Sequence, residues 1–242
     1  MRPYRVDYLS ATRHPWPCLL FLLPLLVVYE AGVLWLGGTQ AESLRNGADT
    51  WLRWGLERFG LHQLYWVPLL IVAIFLAWSW LRFWDRPGGA AAIWLGMALE
   101  SVGFAVGLWA LSRELGPLLE QVGIHLSLGP QQTRLCRVIT FVGAGIYEEV
   151  LFRLLVCFVL DFLFRQMGVP FLLAGVLTLL ASAVLFAAAH HLGPYGEKFE
   201  GYVFLFRSLA GLYFALLYRL RGFGIAVGTH ACYDVLVGVL MA

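Results

Sequence analysis

Residues 135–164 read LCRVITFVGAGIYEEVLFRLLVCFVLDFLF. As a helix rising about 1.5 Å per residue, this run is longer than a hydrocarbon core of ~30 Å requires. It carries Glu148, Glu149 and Arg153 near its middle. One ionisable side chain at mid-membrane costs ~2.5–3.5 kcal/mol, so three facing lipid unpaired would cost on the order of 8–10 kcal/mol. The three are therefore expected to face protein or a watery cavity. Arg153 follows Glu149 by one helical turn, so the two can neutralise each other on one face. Glu148 lies about 100° further round the helix and has no such partner.

The rest of the chain supports a membrane setting. Of its 242 residues, 60% are apolar and only 13% charged, whereas about a quarter of an ordinary globular sequence is charged. The 17 basic and 15 acidic residues provide no broad cationic face, which excludes nucleic acid as a partner. About seven stretches are long and apolar enough to span: 15–37, 64–84, 90–111, 135–164, 170–192, 201–220 and 223–242. An eighth span is the alternative count. The expected fold is an all-α, polytopic transmembrane helical bundle forming a single domain over residues 1–242. Residues 1–134 supply the N-terminal spans.

Two connections are more than links. Residues 40–62 mix Trp51, Leu52, Trp54, Leu56 and Phe59 with Arg53, Glu57 and Arg58, the pattern of an amphipathic helix lying in the membrane interface. Residues 112–134 contain Gly116, Pro117, Gly129 and Pro130 and read as a short helix or loop on the same side. With the N-terminus inside, the inner face collects Arg2, Arg5, Arg13, Arg82, Arg86, Arg165, Arg219 and Arg221 in short segments. The outer face holds Arg45, Arg53, Arg58, Arg113, Arg134 and Lys198. The positive-inside rule thus favours a cytoplasmic N-terminus. The first apolar stretch is too long for a cleaved signal and is expected to stay as a helix. Cys18, Cys136, Cys157 and Cys232 are scattered without a CxxC pair and read as packed thiols.

Further polar groups recur in the C-terminal half. His190 closes the string FAAAH that starts at Phe186, whose three alanines leave a thin face for a neighbouring backbone. His230 and Asp234 stand one turn apart in THACYDVLVG. Singly, each could be a hydrogen-bonding tie between helices. Glu149–Arg153 reads as such a tie. Glu148, His190, His230 and Asp234 together, on three helices and without an obvious cationic partner, fit a reactive site better than a scaffold. Glu30, Glu100 and Arg207 also fall within spans, and an ion pair of Arg207 with one of the two glutamates is expected.

Glu148-Glu149-x-x-x-Arg153, Phe186-x-x-x-His190 and His230-x-x-x-Asp234 resemble, in order, the EExxxR, FxxxH and Hxxx(N/D) motifs of the CPBP intramembrane proteases. That family includes the type II CAAX prenyl endopeptidases and bacterial bacteriocin-processing or immunity proteins. The resemblance covers residues 135–242, a CPBP-like catalytic core. It implies that Glu148 and His190 activate a water while His230 and Asp234 hold the oxyanion, with Glu149, Arg153 and Phe186 as structural support. The third motif ends here in Asp rather than Asn. An ionised Asp cannot donate to an oxyanion, so Asp234 would be protonated, orient His230, or bind a metal.

Peptide hydrolysis needs a general base and donors aimed at the tetrahedral oxyanion, and this set offers both. Glu148, His190, His230 and Asp234 could also ligate zinc with one position left for water. No HExxH is present, however, and a ligating Glu148 would leave no base, so the metal-independent reading is favoured. The expected partners are the bilayer and a membrane-protein or lipidated-peptide substrate, with the chain in a bacterial inner membrane. Two rival readings are a proton-coupled transporter, which would be expected to show repeats that are absent here, and a non-catalytic binding or immunity protein.

Overall fold

The computed structural model describes residues 7–120, 133–193 and 196–241, and these are helical apart from turns and short loops. Arg2, Arg5 and residues 121–132 of the 112–134 connection lie outside the described residues. The helices are α1 (Tyr8–Ala11), α2 (Pro15–Gly37), α3 (Gly47–Glu57), α4 (Trp66–Leu81), α5 (Ala90–Glu120), α6 (Arg134–Glu149), α7 (Cys157–Gln166), α8 (Phe171–Ala189), α9 (Gly201–Arg221) and α10 (Phe223–Val235). Two π-helical segments, Val150–Val156 and Leu236–Leu240, follow α6 and α10.

Each apolar stretch becomes a helix. Among the described residues, five segments are long and apolar enough to cross a membrane: Pro15–Gly37, Ala90–Arg113, Phe171–Ala189, Gly201–Arg221 and Phe223–Leu240. The other two differ for identifiable reasons. α4 has only 16 residues, and the 135–164 run is interrupted by its charges and by the π segment after Glu149. Large apolar side chains such as Leu69, Ile74, Leu99, Phe158 and Leu172 point outward. Such a coat suits lipid and not water, so the chain is an integral membrane protein.

α10 is the centre of the bundle. Every residue from Phe223 to Ala231 is buried, the mark of a helix enclosed on all sides. It packs against α5, α6 and α9, while α8 lies on α9, and α2 lies on α6 and α4. Small residues permit these close crossings. A methyl group on Gly145 would lie 2.7 Å from both the Cβ and the backbone nitrogen of Ala231, and one on Gly211 would lie 3.2 Å from the Ala183 carbonyl oxygen. Gly222, at φ +104°, makes the tight turn from α9 into α10, a conformation that residues with a Cβ rarely adopt.

The 40–62 segment is a 3-10 turn (Gly38–Leu44) followed by an 11-residue helix, α3. Its buried face is not purely apolar. Asp49 and Arg53 are buried, whereas Trp54 and Phe59 are exposed. Arg45 Nη1 donates to Asp49 Oδ2 at 2.8 Å, and Arg53 Nε donates to Asp49 Oδ1 at 2.7 Å. Both arginines also reach Glu30 of α2, at 3.3 Å each. This buried ionic cluster holds α3 against the bundle.

The expected partner of Arg207 is corrected. Arg207 pairs bidentately with Glu197, at 2.8 and 2.9 Å, from the loop between α8 and α9. Glu100 pairs instead with Arg221 at 2.7 Å, and Glu30 belongs to the α3 cluster.

If the α6–α10 crossing requires a bare backbone, Gly145→Val should destabilise the protein by about 1–3 kcal/mol or more through overpacking. Gly55, whose surroundings are open, is the control: Gly55→Ala should leave the thermal midpoint in detergent unchanged or slightly raised.

Candidate active site

Glu148 and Glu149 are the last two residues of α6, immediately below the crossing of Gly145 with Ala231. That crossing sets them beside His230, one residue before Ala231 on α10. Asp234 follows one turn later on the same face. His190 arrives from α8, whose last helical residue is Ala189, so it stands at the helix end. Its Nδ1 bonds the Phe186 carbonyl at 2.8 Å, and its own carbonyl accepts from the Glu197 amide at 3.0 Å.

The structure brings all four sequence-derived candidates together. Glu148 Oε2 stands 3.9 Å from His190 Nε2 and 3.8 Å from His230 Nε2. His230 Nε2 is 3.5 Å from Asp234 Oδ2. These separations exceed direct hydrogen bonds. The side chains of His190 and Asp234 are 25% and 23% exposed, against 12% for Glu148 and 4% for His230. One rim of the cluster is therefore open while its floor is closed.

Glu149 has two partners. Its Oε2 lies 3.0 Å from Arg153 Nε, with both side chains fully buried. Its Oε1 accepts from His230 Nδ1 at 2.9 Å. The spacing of EExxxR shows the first of these contacts but not the second, which depends on how α10 docks. Arg153 also donates to the Gly211 carbonyl at 3.0 Å and to Ser182 Oγ at 3.4 Å, and its guanidinium lies over Phe186, 5.2 Å from the ring centroid. Phe186 meets His190 edge-on, with centroids 5.0 Å apart, and the His230 ring stacks on Phe214 at 4.4 Å. Phe214 is a contributor that no motif spacing indicates.

These bonds decide which nitrogen of each histidine can do chemistry. A backbone carbonyl and an ionised carboxylate only accept, so Nδ1 carries a proton in both His190 and His230. In the neutral rings, Nε2 is then an acceptor facing Glu148. His230 can donate from Nε2 only as the imidazolium.

Asn46 is a further residue that sequence reasoning missed. Its Nδ2 donates to Glu148 Oε1 at 2.9 Å. An N-cap before α3 is readable from the Asn46-Gly47 step, but a contact spanning this much chain is not. Outside the spans, Arg207 holds the Glu197 carboxyl below the usual carboxylate range through its hydrogen bonds, so the loop that follows His190 is tethered at neutral pH. Among the described residues, no group of three or more His, Cys, Asp and Glu side chains is close enough to hold a metal ion.

A cavity of about 740 Å³ has Arg153 in its wall, and its lining does not include Glu148, His190, His230 or Asp234. Apolar side chains including Ile71, Ile74, Leu154, Phe158 and Leu179 line it.

Residues 130–236 match the family described as Rce1-like: type II CAAX prenyl endopeptidase Rce1-like. The match encloses every one of the three motifs and excludes Asn46. No curated protein and no solved structure matches the chain.

Removing one partner of a buried ion pair costs about 3–5 kcal/mol, while replacing both with apolar groups costs far less. Arg153→Met should therefore destabilise strongly in detergent unfolding. Combining it with Glu149→Leu should cost clearly less than the sum of the single changes. Strict additivity would show that the two side chains act independently.

Proposed function

We propose that the Rce1-like domain at residues 130–236 works as an intramembrane endopeptidase that uses Glu148 and His190 to activate a water. The observation that carries this reading is the gap of 3.9 Å between Glu148 Oε2 and His190 Nε2. One water seated to the side of two acceptors at that separation, ~2.8 Å from each, can donate a proton to each. Its oxygen is then free to attack a peptide carbonyl carbon. Glu148 takes one proton as the C–O bond forms and returns it to the leaving nitrogen as the C–N bond breaks.

In the same proposal His230, as the imidazolium, donates from Nε2 to the oxyanion. Asp234 stands 3.5 Å from that nitrogen without a direct hydrogen bond, so its assigned role is to stabilise the imidazolium by its negative charge while the Nε2 proton stays available to the oxyanion. The cavity with Arg153 in its wall is assigned to the apolar part of a membrane-protein or lipid-bearing substrate, a use consistent with its lining and its size. No step in this scheme passes through a metal. The setting assigned is a bacterial inner membrane with the N-terminus cytoplasmic.

New protein N-termini, compared by mass spectrometry in membranes containing wild type or Glu148→Gln, test the reading whatever the substrate. Cleavages present with wild type should fall by at least ~10²-fold with Glu148→Gln, which retains its size but cannot take the proton. Identical termini in both membranes would sink the protease assignment and favour a binding protein. Wild-type activity should survive chelator dialysis. Its loss, with recovery on adding zinc, would overturn the metal-independent scheme.

A further inference from the structure

We infer that Asn46, contributed by the N-terminal half and outside the matched domain, is a positioning residue that aims the Glu148 carboxylate. This rests on Glu148 being the base of the proposed reaction.

The orientation of the Asn46 amide is decided by its surroundings. Asn46 caps α3, its Oδ1 accepting the Ala48 N–H at 2.7 Å. A backbone N–H can bond only the oxygen end, so Nδ2 is the group directed at Glu148 Oε1, 2.9 Å away. Glu148 Oε1 is thereby occupied, and Oε2 is the oxygen left facing both histidines. Without this donor the carboxylate could rotate and present either oxygen, or neither, to the water.

Asn46 is itself held from several directions. Its backbone N–H donates to the Tyr29 hydroxyl at 3.1 Å, and that hydroxyl donates to Asp49 Oδ2 at 3.0 Å. Asp49 is fully buried between Arg45 and Arg53. Glu30, which binds both arginines, also accepts from the Tyr147 hydroxyl. Two ties from the N-terminal cluster thus end on consecutive residues, Tyr147 and Glu148. The cluster does more than dock α3, because one of its ends is the carboxylate itself.

A purely structural cap would behave differently from a positioning residue, and substitutions separate the two. Asp and Ser rank with Asn as N-caps, but Asp offers no N–H and the Ser hydroxyl is too short to reach Glu148. Asn46→Ser should therefore keep close to the wild-type thermal midpoint while kcat falls about 10- to 100-fold, the effect of losing one hydrogen bond to a charged group; Asn46→Asp, which sets a second carboxylate against Glu148, should lower kcat at least as far. KM should change little, since the bond acts on the reacting water rather than on substrate binding. Asn46→Ala should lose the cap as well and lower the midpoint.

The assay is proteoliposome turnover of an internally quenched peptide that reproduces a wild-type-dependent cleavage site mapped as above. Wild-type kcat in Asn46→Asp and Asn46→Ser would overturn the inference. So would a fall in kcat that simply follows a fall in midpoint. Glu148→Gln is run alongside: if it still cleaves, the assignment of the base has failed. If it is inactive while the Asn46 variants are unimpaired, only the positioning role has failed.

Discussion

The buried carboxylate of Glu149 is the point on which the C-terminal half is assembled. Fully desolvated, it would be intolerable without counter-charge. Arg153 supplies that charge at 3.0 Å, and then uses its remaining donors on Ser182 of α8 and the Gly211 carbonyl of α9. The other Glu149 oxygen takes His230 of α10. The Glu149–Arg153 pair therefore connects four helices. Each connection is worth more here than at a surface, because water cannot replace it. The position of His230 follows from the same contact that stabilises the bundle.

Backbone proximity makes that contact possible. In lipid there is little hydrophobic drive to press helices together, so close packing and interhelical polar bonds carry the association. Gly145 against Ala231 brings α6 to α10, and Gly211 against Ala183 brings α9 to α8. Both crossings lie within about a turn or two of the reactive cluster. The π-helical segment after Glu149 also falls here, and such irregularities concentrate at functional sites. It widens the helix just where Arg153 must turn back to Glu149.

The parts legible in the sequence were those with local periodicity. Apolar runs revealed the helices, and i, i+4 spacing revealed Glu149–Arg153, Phe186–His190 and His230–Asp234. The convergence of Glu148, His190, His230 and Asp234 could be expected from charge economy in lipid, since isolated ionisable groups there are costly. Contacts set by tertiary docking were not legible. Arg207 was expected to meet a glutamate in a span, yet it binds Glu197, because the loop after α8 folds back over the start of α9. Residues 40–62 read as an amphipathic helix lying in the interface, and α3 is a short helix with one buried face; that this face carries Asp49 and Arg53 was not legible, since the matching charge comes from Glu30 on α2. Asn46 was not singled out, because its bond to Glu148 depends on where α6 ends.

The two histidines are chemically alike in sequence and unlike in place. Each commits Nδ1–H to a fixed acceptor, but the acceptors differ in charge. His190 bonds a neutral carbonyl and stands at the open rim, where a neutral ring presents the Nε2 lone pair to water. His230 bonds a carboxylate, lies stacked on Phe214, and faces Glu148 and Asp234 with Nε2. A ring flanked by three acidic side chains is suited to carry a proton, and one facing a carbonyl is suited to accept it. The two rings are thus distinguished by the partners of Nδ1. Glu149, which spacing alone assigned to scaffolding, is the residue that makes the difference.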